Sequence, residues 1–190
     1  MGTLFLQESD ATILLADIRD FSSLAKTRGA TVELAITLSR FYEHIAAGVK
    51  AEGGRVIKLV GDGVLCAFVG VPDHRARAVR ALRRLVDGQA SLNESAKVTG
   101  MPEIAYTVVV GSGRVLAGDL GAEKLQGFDV IGTAVNRTFR LSQVATKRRV
   151  THLLEASTYD GLPAVDRPAA RPVDPVELEG EHVALYELIA

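Results

Sequence analysis

Two apolar runs separated by Gly-Asp-Gly impose the strongest constraint on how this chain can fold. The segment RVIKLVGDGVLCAF covers residues 55–68. Glycine and aspartate between two such runs predict a tight hairpin turn, which joins neighbouring antiparallel strands. The turn is predicted to consist of Val60, Gly61, Asp62 and Gly63. The hairpin leaves Asp62 at its tip and puts a lone lysine, Lys58, inside a strand, and both positions require an explanation.

Strands and helices alternate along the rest of the chain. Residues 11–18 read ATILLADI, a short apolar run that is typical of a buried strand and that has an acid at its end. Apolar residues at helical spacing predict three amphipathic helices, over 31–54, 73–95 and 133–145. Further strands are expected over 103–121, with a break at Gly-Ser-Gly, over 128–132, and as two short strands around Gly180.

This order of elements predicts an α+β sandwich in which helices pack on a mostly antiparallel sheet. A Rossmann fold is disfavoured because Gly111-Ser112-Gly113 lacks a following x-x-G, and the chain has no Gly-Lys-Ser/Thr of a P-loop. With 190 residues, the chain is expected to form one domain over 1–190. Residues 1–10 are expected to be a lead-in, and residues 161–175 a proline-rich loop before the final strands.

Composition excludes several classes of partner. The 22 basic and 23 acidic residues give a net charge of −1, so no overall field favours nucleic acid or a membrane surface. No apolar run approaches the ~20 residues of a membrane span, and the acidic start is unlike a signal peptide, so a cytoplasmic protein is expected.

Cys66 lies in an apolar stretch and is interpreted as core. The four histidines show no metal-ligand spacing.

Arginines are concentrated in RARAVRALRR, within the predicted helix over 73–95. The simplest interpretation is a solvated helix face. A nucleic-acid-binding module is the alternative, but it would depend on this run and on KRR alone, without interleaved aromatic residues.

Two acids fall at the ends of predicted strands. Asp17 ends the strand over 11–18, and Asp62 is at the hairpin tip. If these strands are neighbours, two carboxylates meet at one edge of the sheet, which is a site for hard cations such as Mg²⁺. The alternative is two unrelated turn aspartates, because aspartate favours turns.

Four further polar residues suit a nucleotide. Asn136 and Arg140 are four residues apart on one predicted helix and therefore share a face, where a guanidinium can pair with phosphate oxygens. Lys58 and Asp129 supply one donor and one acceptor, which adenine's base edge requires in return. On its own, the pair on the helix is more typical of a solvated face.

Four segments in order along the chain resemble the class III nucleotide cyclases, the catalytic domains of adenylate and guanylate cyclases. They are LLADIRDFSSL, GGRVIKLVGDGVLCAF, GSGRVLAGDLG and FDVIGTAVNRTFRL. The final VELEGEHVALYEL is similar to the closing strands of that family. The resemblance covers nearly the whole chain, and it implies a ferredoxin-like, palm-type sandwich that acts as a homodimer with active sites at the interface.

The resemblance also implies a role for each matched residue. Asp17 and Asp62, with the carbonyl of Ile18, would hold two divalent cations, Mg²⁺ or Mn²⁺. Lys58 and Asp129 would recognise adenine, Asn136 would orient the ribose, Arg140 would stabilise the transition state, and Arg114 would reach the departing phosphates. The implied reaction is conversion of ATP to cyclic AMP and pyrophosphate.

Three residues depart from the family pattern. Asp20 replaces a usual glycine, Phe139 replaces a small residue, and Glu179 stands where many members have a lysine near the triphosphate. These departures keep three alternatives open: a weakly active cyclase, a nucleotide-binding or regulatory homologue, and a cyclase with relaxed or GTP specificity. A guanylate cyclase would commonly have Glu and a small or thiol residue in place of Lys58 and Asp129.

Overall fold

The computed structural model describes residues 6–29, 31–121 and 127–189. Its strands are β1 (Leu6–Ile18), β2 (Arg55–Val60), β3 (Gly63–Val69), β4 (Tyr106–Leu120), β5 (Gly127–Ile131), β6 (His152–Glu155), β7 (Ala170–Leu178) and β8 (Glu181–Leu188). Its helices are α1 (Phe21–Arg28), α2 (Val32–Ala51), α3 (His74–Val98), α4 (Thr133–Arg148) and α5 (Ala156–Tyr159), and a 3₁₀ turn covers Ala164–Asp166.

The described strands form one sheet in the order β2-β3-β1-β4-β6-β8-β7, and β5 pairs with β4. Within the described ranges, β4 and β6 pair in parallel and every other neighbouring pair is antiparallel. Helices pack on both faces of this sheet. The predicted α+β class, with a mostly antiparallel sheet and the hairpin over 55–68, is confirmed.

The central strand β1 separates two cores. Leu14, Ala16 and Ile18 face α2 and α3, whereas Ile13 and Leu15 face the side on which α4 packs. Successive side chains of a strand point to opposite faces. Asp17, two residues after Leu15, therefore lies on the α4 side of the sheet.

The predicted break at Gly-Ser-Gly is wrong, because β4 runs without interruption through it and pairs with β1 along its length. The glycines serve a different purpose. A Cβ at Gly111 would lie 2.6 Å from Glu155 Oε2, and one at Gly113 would lie 3.1 Å from Ala134 Cβ. Both glycines allow α4 and its neighbours to approach the strand closely.

Two predicted boundaries also differ. The lead-in over 1–10 is shorter than expected, because β1 begins at Leu6 and pairs with β4 from there. The loop over 161–175 is shorter too, because β7 begins at Ala170 and contains Pro172 and Pro175. Strand β7 is at the sheet edge, where a residue without an N–H is tolerated, and its register shifts between Val173 and Val176.

The predicted solvated arginine face of α3 is only part of the picture, because some of its arginines contact a buried acid. Glu52 is 7% exposed, and it accepts hydrogen bonds from Arg80 Nε at 2.8 Å and from Arg84 Nε at 2.6 Å. The arginine-rich run thus ties α3 to the end of α2.

Cys66 is fully buried, as expected, and burial raises the pKa of its thiol to about 12. Among the described helices, none is sufficiently long and apolar to span a membrane.

Candidate active site

The two predicted metal-binding aspartates converge at one end of the sheet. Asp17 at the end of β1 is directly opposite Gly63, the first residue of β3, and Asp62 precedes it in the turn. A side chain at position 63 would put its Cβ 3.1 Å from Asp17 Oδ1 and 3.0 Å from Ala16 O. Gly63 therefore allows the Asp17 carboxylate to lie against the hairpin.

The electrostatics of this pair are unfavourable without a cation. Burial, and then the charge of Asp62, raise the pKa of Asp17 to about 6 from its ordinary 3.8. Burial and the same Asp62 charge also raise the pKa of Tyr42, whose hydroxyl donates to Gly61 O at 2.7 Å and anchors the turn to α2. Two mutually repelling carboxylates suit a hard divalent cation.

The donor set matches the way Mg²⁺ is bound beside a nucleotide. Among the described residues no group of three or more His, Cys, Asp or Glu side chains could hold a metal. The two aspartates and a backbone carbonyl such as that of Ile18 would leave coordination positions for water and phosphate oxygens, which Mg²⁺ commonly retains. The residues present therefore fit a cation that binds together with a phosphorylated ligand.

Lys58 and Asp129 contact each other directly. Lys58 Nζ lies 2.5 Å from Asp129 Oδ2, and Asp129 Oδ1 accepts a hydrogen bond from the Val130 N–H at 2.8 Å. The two residues are on β2 and β5, which are not neighbours in the sheet. The Arg55 guanidinium, 4.1 Å from the centre of the Phe128 ring, adds a second contact between these strands.

Helix α4 begins where β5 ends. Gly132 has φ 152°, and a Cβ there would lie 2.9 Å from Arg114 O, so a glycine is needed for the helix to start against β4. Asn136 is exposed on the first turns of α4. Arg140, one turn later and half-exposed, forms an ion pair with Glu179 at 2.9 Å. Glu179 is in the turn between β7 and β8.

The remaining predicted residues lie at the margins of this region. Arg114 on β4 pairs with Glu8 on β1 at 2.8 Å, and both side chains are largely exposed. Asp20 has φ 55°, a conformation that favours glycine but that aspartate tolerates. Phe139 packs against the apolar cluster between α4 and the sheet.

The predicted residues form two groups within one chain. The first is Asp17 with Asp62, and the second is Lys58 with Asp129, beside α4. Lys58 is opposite Leu65 and Leu65 is opposite Leu15, so Lys58 is on the same face of the sheet as Asp17. No hydrogen bond or ion pair among the described residues joins the aspartates to Asn136 or Arg140.

Three contacts around the site were missed from the sequence. Arg137 pairs with the buried Glu155, Arg140 pairs with Glu179, and Tyr42 anchors the turn. A charged residue between Asn136 and Arg140, and an acid directly after Leu153-Leu154 in β6, were available signals. Neither signal identifies the partner, because the paired residues are far apart in sequence.

A family model described as the adenylate and guanylate cyclase catalytic domain matches residues 6–190 of this chain. An uncharacterized protein of Mycobacterium tuberculosis is 31% identical over 159 residues, which are 82% of this chain and 26% of that protein. Adenylate cyclase 1 of Rhizobium meliloti is 25% identical over 185 residues, which are 95% of this chain and 27% of that protein. The chain spans less than a third of the length of these curated relatives.

Solved structures of cyclases have the same fold. The guanylyl cyclase Cya2 superimposes with a TM-score of 0.84 at 24% identity, covering 99% of this chain and 94% of that one. The adenylyl cyclase CyaB from P. aeruginosa superimposes with a TM-score of 0.83 at 21% identity, covering 98% and 97%. This fold is therefore common to adenylyl and guanylyl cyclases, and it does not distinguish ATP from GTP as the substrate.

Proposed function

The chain belongs to the adenylate and guanylate cyclase catalytic domain family, and from this membership we propose that it converts ATP to 3′,5′-cyclic AMP and pyrophosphate. Its nucleotide site would use Lys58 and Asp129 for the base, Asn136 for the ribose, and Arg140 and Arg114 for the phosphates. ATP is abundant in the cytoplasm, which is the location expected from the sequence.

The observation that supports ATP most directly is the Lys58–Asp129 pair. An ammonium has three donors and a carboxylate has about four acceptor sites, so each group retains hydrogen-bonding capacity after pairing at 2.5 Å. Adenine presents a ring nitrogen acceptor beside an amino donor, which such a pair satisfies. Guanine presents the opposite arrangement, with a ring N–H donor beside a carbonyl acceptor, and would meet Lys58 and Asp129 with mismatched groups.

The proposed reaction forms a bond between the ribose 3′-oxygen and the α-phosphorus and breaks the bond from that phosphorus to the bridging oxygen. The proton of the 3′-hydroxyl passes to solvent, and pyrophosphate leaves. Asn136 would hold the ribose so that its 3′-oxygen faces the α-phosphorus. The Arg140 guanidinium would donate to phosphate oxygens that gain charge in the transition state, and Arg114 would bind the departing phosphates.

Asp17 and Asp62, with the Ile18 carbonyl, would bind two divalent cations, Mg²⁺ or Mn²⁺. When bound, such cations lower the pKa of the attacking hydroxyl and offset the negative charge of the triphosphate. The raised pKa of Asp17 supports this role, because the charge on this carboxylate needs a cation near it.

The site is proposed to be shared between two copies of the chain, with the aspartates from one subunit and the other site residues from its partner. Exposed apolar side chains flank both groups. Leu59 and Val60, next to Asp62, are 54% and 40% exposed, and Leu116 and Ile131, next to Asp129 and α4, are 40% and 42% exposed. A second copy of the chain seated over both groups would cover these side chains.

Incubation of the purified chain with each of the four nucleoside triphosphates, plus Mg²⁺ or Mn²⁺, tests the proposal. We expect cyclic AMP and pyrophosphate from ATP, and no turnover with EDTA. Asp17→Ala and Asp62→Ala should each remove activity while circular dichroism shows an unchanged fold. Retained turnover in both folded variants would refute the two-aspartate cation site, and a preference for GTP would refute the assignment of Lys58 and Asp129.

A further inference from the structure

A buried acid lies beneath the helix that presents Asn136 and Arg140. Glu155 at the end of β6 is 2% exposed, and its Oε1 accepts a hydrogen bond from Arg137 Nη1 at 2.9 Å. Its Oε2 has no hydrogen-bond partner among the described residues. A carboxylate in such a position is costly unless a cation is held against it, and Arg137 supplies that cation.

The surrounding strands are shaped for this acid. A Cβ on Gly111 of β4 would lie 2.6 Å from Glu155 Oε2, so the carboxylate fits only because that position has no side chain. The Arg137 guanidinium also lies 3.5 Å from Glu181 Oε2, at the start of β8. One arginine of α4 thus contacts acids on two strands, one buried and one exposed.

The other buried contacts of α4 are mostly apolar. They are made by Ala134, Val135, Leu141 and Ala145. Apolar burial is non-directional and specifies the rotation and axial position of a helix less sharply than a hydrogen-bonded ion pair does. Arg137 directly follows Asn136 and precedes Arg140 by one turn. The polar contact is therefore located on the same stretch of α4 as both side chains.

Stability alone does not account for a buried ion pair, because an apolar pair of similar volume commonly gives an equally stable fold. We propose that Glu155, acting through Arg137, is a positioning residue that fixes α4 so that Asn136 and Arg140 meet the nucleotide in the reactive geometry. This proposal rests on the cyclase activity proposed above.

The first test is Glu155→Gln, which keeps the size of the side chain and removes its charge. A misplacement of about 1 Å at a reacting group can lower a rate about 100-fold. We expect kcat for cyclic AMP formation to fall by about 10- to 100-fold with KM for ATP within about twofold of wild type, because the base contacts are on β2 and β5.

Glu52→Gln is the matched control. Glu52 is also buried and also paired with arginines, but it joins α2 to α3. Both substitutions should lower the melting temperature, whereas kcat should fall only in Glu155→Gln. Equal kcat in Glu155→Gln, Glu52→Gln and the wild type would overturn the proposal.

A second variant separates positioning from folding. The double substitution Arg137→Met with Glu155→Leu replaces the ion pair by an apolar pair, and it should melt close to the wild type. We expect its kcat to remain at least about 10-fold reduced, whereas a stable double variant with wild-type kcat would overturn the proposal. If the wild-type chain has no turnover, the cyclase proposal itself fails. If the wild type turns over and the variants match its kcat, only the positioning proposal fails.

Discussion

Asp17 carries a free-energy penalty in the folded chain, because burial and Asp62 disfavour its charge. Its pKa is about 6 in the fold, against 3.8 ordinarily. Between these two pH values the folded state binds more protons than the unfolded state. The penalty is therefore full at pH 7, decreases as the pH falls through 6, and disappears below about pH 4.

Asp17→Asn should consequently stabilise the metal-free protein while abolishing turnover. The pKa shift corresponds to about 3 kcal/mol if converted directly, and solvent screening of this only partly buried carboxylate reduces it to about 1 kcal/mol. In EDTA at pH 7 we expect a melting temperature about 2–4 °C above that of the wild type, and a difference that shrinks towards pH 4.

Asp87→Asn on the exposed surface of α3 is the control and should leave the melting temperature unchanged. Added Mn²⁺ should raise the melting temperature of the wild type and of Asp87→Asn, but not that of Asp17→Asn, because only the first two retain both carboxylates of the proposed cation site. A wild type more stable than Asp17→Asn in EDTA would contradict the repulsion between Asp17 and Asp62.

At the scale of the element, β2 and β5 together present the proposed base contact although they are not adjacent in the sheet. Lys58→Glu with Asp129→Cys reverses the donor and acceptor that these strands present. The ratio of GTP to ATP turnover should rise by about 10- to 100-fold, mainly through loss of ATP use, because mismatched donors and acceptors at the base edge reject the wrong base. Product analysis by chromatography at equal GTP and ATP concentrations measures this ratio.

Arg55→Leu is the matched control for the same strand contact. It removes the guanidinium above the Phe128 ring and leaves Lys58 and Asp129 in place. Nucleotide preference should then stay unchanged even if stability falls. An unaltered preference for ATP in the double variant would show that Lys58 and Asp129 do not select the base.

The hairpin and the long helices followed from the sequence, because each depends on local periodicity or on a short turn. The meeting of Asp17 and Asp62 was expected only if their strands are neighbours, which the pairing of β1 with β3 confirms. The direct contact between Lys58 and Asp129 was not predicted, because it joins two strands that are distant in sequence. The predicted break at Gly-Ser-Gly was wrong because these glycines make room for α4 and for Glu155, which are distant in sequence. Helix α1 was not predicted, and its first turn contains no acidic residue or side-chain cap that would have indicated it. Glu181, the second partner of Arg137, and Glu179, the partner of Arg140, lie on the β7–β8 hairpin, which only the complete sheet brings to α4.

At the scale of the whole molecule, a shared site predicts complementation between inactive variants. Asp17→Ala and Arg140→Ala should each be inactive alone, because each homodimer carries the lesion in both sites. A mixed dimer puts both lesions in one site and leaves the other whole. Random pairing makes about half of the dimers mixed, so co-refolding equal amounts should restore roughly a quarter of wild-type activity.

The matched mixture of Asp17→Ala with Asp62→Ala should restore nothing, because both lesions fall on the side of the site that one subunit supplies. Successive affinity purification on two different tags, one on each variant, isolates the mixed dimers and verifies that they form. If verified mixed dimers of Asp17→Ala and Arg140→Ala stay inactive, both residues serve the site from the same chain.

The ion pair between Arg140 and Glu179 means that Arg140 already has a counter-anion before any nucleotide arrives. A triphosphate that reaches this guanidinium exchanges one anion for another and does not neutralise a bare charge. The gain in affinity therefore equals the interaction free energy of Arg140 with phosphate minus its interaction free energy with the Glu179 carboxylate. This difference is smaller than either interaction alone. This exchange favours the species with the greatest negative charge on its oxygens, and in a phosphoryl-transfer reaction that species is formed only as the bonds rearrange.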